Sequence, residues 1–318
     1  MVAGLEVVLA DGTIVRTGAM AGHGAGPRSA MGPDLTSLFV GSEGTLGVIT
    51  SARLRCHPVA TEERRAAWAF PSFAEGLEAL RRTLRRGATP AVVRLYDETE
   101  SKRSFDGLDT NVLVALDEGD GLIVEAAMAV LSEECWTAEP LDVGIVEHWF
   151  TSRNDVSDLE SVIRAGIVAD TIEVAAPWDA LLNIYHQALA ALQETDGMLV
   201  ASAHQSHAYL EGACLYFTFA GWGPDPADDA WAESFYRSCW QDVLGATSAN
   251  GGSISHHHGI GLMRGPFLPD VLGAGFEVLK NIKKMLDPRG ILNPGKLGLP
   301  SPFGAVPWSQ GAALWPPS

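Results

Sequence analysis

The chain opens with two short β-rich runs, Leu5-Glu6-Val7-Val8-Leu9 and Thr13-Ile14-Val15-Arg16, joined through Asp11-Gly12. That pattern predicts a hairpin, because the Asp-Gly pair tolerates the turn angles that right-twisted strands require. The hairpin starts almost at Met1 and reads as the edge of a larger sheet. Residues 21–33, rich in Gly, Ala, Ser and Pro, read as a loop. Further on the period changes. Ser72 and Glu75 form a capping box ahead of Leu77, Leu80 and Leu84, and Gly87 can end that helix. Residues 91–96 and 111–116 read as strands and 121–134 as a helix. A second set follows, with helices over 157–165, 177–194 and 226–243 and strands over 169–175, 198–202 and 213–220. Pro177 sits near a first helical turn, where its missing N–H is harmless. Asp270 is expected to cap a helix whose apolar face is Phe276, Leu279, Ile282 and Leu286.

Helices mixed with short strands over the middle of the chain predict an α+β unit with an antiparallel sheet. No internal sequence repeat accompanies the two sets. The run Asp287 to Lys296, with Pro288, Gly290, Pro294 and Gly295, stops the last helix, and residues 300–318 read as a loose tail.

Composition narrows the function classes. With 318 residues, 47% of them hydrophobic, the chain can bury one large core or two smaller ones. Its formal charge of −17 argues against a nucleic-acid or anionic-membrane surface, though not against a local basic pocket. Cys56, Cys135, Cys214 and Cys239 are far apart and form no C-x-x-C pair, which fits a reduced intracellular protein. No apolar run suits a transmembrane segment, and the amino terminus lacks a signal pattern. The reading is a soluble, cytoplasmic protein acting on a small molecule, with a homodimer as the expected assembly.

Candidate chemistry gathers at four places. His256, His257 and His258 stand together between glycine-rich turns, offering groups that titrate near neutrality. In an extended stretch His256 and His258 would face one way and His257 the other. Residues 41–47 carry Gly41, Gly44 and Gly47 ahead of an apolar strand, a composition that lets main-chain N–H groups cradle an anion. Arg94 lies in a strand among apolar neighbours and needs a partner, with Asp97 or Glu98 the structural candidates. Tyr216 lies in another strand, where a phenol is usually packed with its hydroxyl bonded nearby.

As a complete string, Phe39 to Thr50 (Phe-Val-Gly-Ser-Glu-Gly-Thr-Leu-Gly-Val-Ile-Thr) resembles the cofactor loop of the vanillyl-alcohol-oxidase, or PCMH-type, FAD-linked enzymes. The resemblance implies FAD as cofactor, with contacts from Glu43, Gly44, Thr45, Leu46, Gly47, Val48 and Ile49. The stretch from His207 to Phe219, the histidine triplet, and Ala175 to Asp179 resemble the alkyldihydroxyacetonephosphate synthase branch. That branch exchanges the acyl chain of acyl-dihydroxyacetone phosphate for a fatty alcohol in ether-lipid synthesis, a lipid-like substrate. In it Tyr216 matches the proton-transferring tyrosine, His256, His257 and His258 the essential triplet, and Arg94 an arginine important for activity. FAD ends such a reaction as it began, so the protein's part is position, electrostatics and proton transfer.

The resemblance also implies an organisation. Residues 1–57 would be the second lobe of a PCMH-type FAD-binding domain and 58–270 an α+β cap with an antiparallel sheet. Residues 271–299 would return to the flavin domain, leaving 300–318 as tail. The family's first flavin lobe, with its P-R-G-G-G-T-type loop, has no counterpart in this chain, so a misplaced start or a gene fragment is expected, with a partner chain that supplies the lobe as the alternative. The hydroxy-acid dehydrogenase branch carries an H-x-G-D-G-N-x-H motif and a G-E-H-G-I-G string. Here the first lacks its core and the second has His257 in place of the glutamate, so no catalytic metal is expected. Counting back from Trp178 places Leu159 where the family has a phosphate-binding arginine, with Arg153 and Arg164 the nearby substitutes. Two further readings stand beside the alkyl-transfer one: an FAD-dependent oxidase or dehydrogenase of a hydroxy acid or alcohol, and an inactive fragment.

Overall fold

The computed structural model describes residues 1–22, 32–155, 157–225 and 227–304, with only the backbone of residues 158 and 159. Most of the glycine-rich loop and of the carboxy-terminal tail therefore lies outside the described residues. The chain divides into two compact units: residues 1–57 with 257–318, and residues 58–256. The sequence-based reading ran the cap to residue 270, beyond this division.

The first unit is built on a three-stranded antiparallel sheet. Strand β1 (Val2–Val8) is central, paired with β2 (Ile14–Arg16) through the expected hairpin and with β3 (Val48–Leu54) on its other side. A short helix, α1 (Leu35–Phe39), starts where the Asp34 carboxylate accepts from Thr36 N. Leu5, Val7, Phe39 and Leu46 form its core with Ile282 and Leu286 from the return segment.

The second unit is one seven-stranded antiparallel sheet among the described residues. In chain order its elements are β4 (Glu62–Phe70), α2 (Phe73–Arg85), β5 (Val92–Tyr96), α3 (Glu98–Ser104), β6 (Asn111–Gly119), α4 (Gly121–Glu134), β7 (Glu139–Leu141) and α5 (Gly144–Ser152). Then come α6 (Ser157–Arg164), β8 (Ile167–Pro177), α7 (Trp178–Glu194), β9 (Met198–Ala208), β10 (Gly212–Trp222) and α8 (Asp229–Ala249). The strand order is β7-β4-β6-β5-β9-β10-β8, so the two sets of elements meet at β5 and β9. The expected α+β class with an antiparallel sheet holds. Ser72 accepts from Glu75 N at the start of α2, as its capping box requires.

One face of this sheet carries Leu95, Phe217 and Phe219 and is covered by helices. The α2 backbone at Gly76 approaches Leu95 so closely that a β-carbon there would meet its side chain at 2.5 Å, and Phe219 packs on Phe235 of α8. The other face carries Tyr96, which packs edge-on against Phe105 beyond α3, within a cluster that includes Val112, Val114 and Trp149 of α5.

In the return segment of the first unit, the expected helix from Asp270 is two helices, α9 (Leu268–Leu272) and α10 (Ala274–Leu286). Gly273 separates them with φ 51°, a left-handed angle that ends one helix before the next begins. Asp270 lies inside the first and caps neither.

Candidate active site

In the second unit the sheet register does the positioning. Glu173 on β8 stands opposite Tyr216 on β10, Tyr216 opposite His204 on β9, and His204 opposite Tyr96 on β5. Directly paired residues share a face, so these four side chains form one row across four strands. All four are buried, Glu173 completely. The His204 ring lies nearly parallel to Tyr216, with centroids 4.7 Å apart at 9°, and its other neighbour is Tyr96 at 5.1 Å and 30°. His204 Nδ1 lies 2.9 Å from the Glu100 carboxylate on α3, which also accepts from Ser202 Oγ.

Burial holds the Tyr216 phenol well above its usual pKa, and the negative charges of Cys214 and Glu173 act in the same sense, while Arg94 opposes them. Cys214 is itself pushed up to about 11 by burial. Near neutral pH it is a thiol and adds no charge. Tyr216 therefore rests as a phenol with a proton to give, and Arg94 is the group that favours releasing it.

Arg94 does not pair with Asp97 or Glu98. Its guanidinium reaches the Tyr96 hydroxyl at 3.5 Å and lies over the Trp149 ring at 5.5 Å, and no carboxylate is within ion-pair distance among the described residues. The Asp97 carboxylate is instead used by the backbone, accepting from Glu100 N and Ala203 N at 2.8 and 2.6 Å. Arg94 lines a cleft of about 410 Å³ with Trp149, Arg153, Asn154, Ser206 and His207. Arg153 lies over the Phe150 and Trp149 rings and donates to Phe150 O. Arg164 is not there, being tied to Glu160 at 2.6 Å on the exposed face of α6. The side chain of Leu159 lies outside the described residues.

The histidine triplet runs through consecutive bends, so strand alternation does not apply. His256 belongs with the second unit: its N–H donates to the Glu173 carboxylate at 2.9 Å, and its ring lies 5.6 Å from His207 and 5.2 Å from Tyr209. Glu173, Cys214 and His256 offer ligand atoms within 4.8 Å of one another, and both Glu173 oxygens also accept the His256 N–H.

His257 and His258 belong with the first unit, their rings 4.7 Å apart and edge-on. The segment after them is pinned by Glu43, whose carboxylate accepts from Ile260 N at 2.6 Å and Gly261 N at 3.0 Å. Glu43 and Gly44 have φ 51° and 73°, which turns the chain sharply. Thr45 is fully buried, its N–H and hydroxyl both bonded to Ser42 O, and Leu46 is in the core. Gly47 passes so close to β1 that a β-carbon would meet Val7 at 2.4 Å. Val48 and Ile49 stay half-exposed on β3. From the return segment Asn293 Nδ2 donates to Glu43 O, and buried Lys283 donates to Thr45 O (2.8 Å), Leu292 O (2.7 Å) and Asp287.

This loop fits a flavin nucleotide in one respect and not in another. A β-carbon on Gly44 would meet nothing nearer than Asn293 at 3.9 Å, so main chain is open there to a flat or anionic ligand, and Val48 and Ile49 offer apolar surface. The side chains of Glu43, Thr45 and Leu46 are already used by the protein. What the loop presents is backbone, not those side chains.

The second unit thus holds a buried phenol on an antiparallel sheet and an arginine-lined cleft, and the first a clamped glycine loop. Residues 60–297 match the family described as FAD linked oxidases, C-terminal domain, and the chain belongs to that family. FAD is the cofactor of these enzymes, as expected from the loop. The chain is 27% identical over 315 residues to "Uncharacterized FAD-linked oxidoreductase YgcU" of Escherichia coli K12, covering 93% of this chain and 63% of that protein. It is 27% identical over 308 residues to alkyldihydroxyacetonephosphate synthase of Trypanosoma brucei brucei, covering 85% and 49%, and 31% identical over 306 residues to a probable mitochondrial D-lactate dehydrogenase of Danio rerio, covering 92% and 59%. Among solved structures, an alkyldihydroxyacetonephosphate synthase superposes with a TM-score of 0.67 at 22% identity over 93% of this chain and 54% of that one. A 4-ethylphenol oxidase from Gulosibacter chungangensis gives 0.70 at 16% over 95% and 66%. The chain thus spans between half and two-thirds of the length of these relatives, and corresponds to their carboxy-terminal part.

Proposed function

We propose that the chain is the catalytic cap and return segment of an FAD-dependent enzyme of the alkyl-transfer type, replacing the acyl group of acyl-dihydroxyacetone phosphate by a fatty alcohol. The observation that carries this reading is Tyr216: a buried phenol held by sheet register, with Arg94 acting on its charge and a basic cleft on the same unit. Arg94 and Arg153 lack carboxylate partners among the described residues of a chain of net charge −17, so the cleft is suited to an anionic head such as a phosphate. Tyr216 gives and takes the proton at the carbon bearing the acyl group. Phenolate formed in that transfer is favoured by Arg94 and opposed by Glu173. His256 donates its main-chain N–H to Glu173, and its imidazole lies beside His207 and Tyr209 with Nδ1 3.6 Å from the same carboxylate. In the first unit the backbone of residues 43–47 and the surface of Val48 and Ile49 hold FAD, while His257 and His258 supply donors from the Glu43-pinned turn. When bound, FAD supplies the ring that exchanges an electron pair with the substrate.

The test is turnover of acyl-dihydroxyacetone phosphate and a long-chain alcohol by the FAD-loaded protein. Tyr216→Phe should lose about 100-fold or more in kcat, the range for removing a general acid–base group, with the flavin absorbance retained. Full activity in that variant would remove Tyr216 from the mechanism.

A second reading, oxidation of a hydroxy acid, is favoured by the similarity to the Danio rerio protein named a probable D-lactate dehydrogenase and to glycolate oxidase subunit GlcD of Bacillus subtilis. Bleaching of the flavin by an added 2-hydroxy acid, with no alkyl exchange, would select it.

A further inference from the structure

The geometry points to His204 as the positioning residue that fixes the ring of Tyr216, with Glu100 holding His204 in turn. This deepens the proposed function and rests on its assignment of Tyr216. Register brings the two rings opposite each other on adjacent strands, and they stack at 4.7 Å with only 9° between their planes. The far side of His204 is closed by Tyr96, so the imidazole is held between two tyrosine rings. Its in-plane orientation is set by the 2.9 Å contact from Nδ1 to the Glu100 carboxylate.

Glu100 is itself held on three sides. Ser202 Oγ donates to it at 3.2 Å, Arg103 lies 3.5 Å away, and its helix is stitched to β9 by Asp97, which accepts from both Glu100 N and Ala203 N. A buried histidine–carboxylate pair adds little net stability compared with apolar residues of similar volume. Its presence behind the phenol is accounted for by orientation. A ring free to tilt would move the hydroxyl by a distance that matters for proton transfer. The charged and titratable groups acting on the phenol are Cys214 on its own strand, Glu173 on β8 and Arg94 on β5, and none of them is replaced in the test.

The chain has five tyrosines, so ring-13C tyrosine labelling gives a spectrum in which Tyr216→Phe identifies the Tyr216 signals by subtraction. A stacked imidazole shields the Tyr216 ring protons. In His204→Leu those signals should move downfield, and in His204→Phe, which restores an aromatic face, they should return most of the way. Glu100→Gln keeps the shape and should shift them partway, which keeps the proposal testable if the leucine variant does not fold. In turnover assays His204→Leu should lower kcat about 10- to 100-fold with KM little changed, the effect of a misplaced catalytic group. Unchanged Tyr216 signals in both His204→Leu and Glu100→Gln would overturn the proposal. Absence of alkyl exchange in the parent protein would overturn the proposed reaction instead, leaving the ring measurement to decide on His204.

Discussion

The two units solve the problem of placing chemistry in opposite ways. In residues 58–256 the candidate groups are side chains on strands, and a row such as Glu173, Tyr216, His204 and Tyr96 follows from cross-strand pairing alone. In the other unit the useful surface is main chain on loops, and side chains serve as ties: Glu43 onto Ile260 and Gly261, Lys283 and Asn293 onto the carbonyls of Thr45 and Glu43. Replacing a side chain in the first case changes a candidate group itself. In the second it changes the order of the main-chain surface.

The sharpest break of this contrast is Lys283→Met. The ammonium is nearly buried, and removing it strands the buried Asp287 carboxylate and two carbonyls. A loss of about 3–5 kcal/mol is expected, as for any buried pair stripped of one partner, read by urea unfolding together with loss of bound flavin. Glu43→Ala should cost less, about 1.5–3 kcal/mol for charge-assisted bonds to backbone N–H groups, and should appear as faster hydrogen exchange at Ile260 and Gly261. Unchanged exchange there would show that the turn holds itself.

Two carboxylates sharpen the comparison through pH, with opposite signs. Burial raises Asp97 to about 6, against the bonds from Glu100 N and Ala203 N. The folded protein then binds this proton more tightly than the unfolded chain, so stability falls as pH rises towards and through 6. The difference is on the order of 2–3 kcal/mol at most. Asp287 is the reverse: despite burial, Lys283 and the N–H groups of Leu292 and Ile291 hold it below its usual value. Its contribution is complete above the ordinary aspartate pKa of about 3.9 and is lost only as pH falls below that. Urea midpoints compared between the protein and Asp97→Asn across pH 5 to 8 should show the parent losing relative stability as pH rises. A flat difference would remove Asp97 as the cause. The smallest effect belongs to Arg164→Ala, an exposed pair worth about 0–1 kcal/mol, which should leave affinity for a phosphate ester untouched while Arg153→Ala lowers it.

What could be read from the chain follows the same division. Local signals served well: the Asp11-Gly12 hairpin, the Ser72 cap of α2 and the helix at 121–134 all have their cause within a few residues. β4 was not legible because it opens on Glu62, Glu63, Arg64 and Arg65, which look like a solvated run until β6 pairs with it. The strand carrying Tyr216 was readable, but β9 was cut short at Ser202, and the next alternation step would have reached His204. Glu100 and Glu173 had no local mark at all. Their partners lie 104 and 83 residues away in sequence, and only the closed sheet brings them together.

The ties made by Lys283 and Asn293 also set an order of events. They span 238 and 250 residues of chain, whereas every strand of the seven-stranded sheet is complete by Trp222. During synthesis the glycine turn at residues 41–47 must wait for the 238 and 250 residues that separate it from Lys283 and Asn293 before its carbonyls are met. Contacts of such long reach form slowly and late. The surface around the glycine turn is thus expected to take shape after the seven-stranded sheet, although it is made before that sheet.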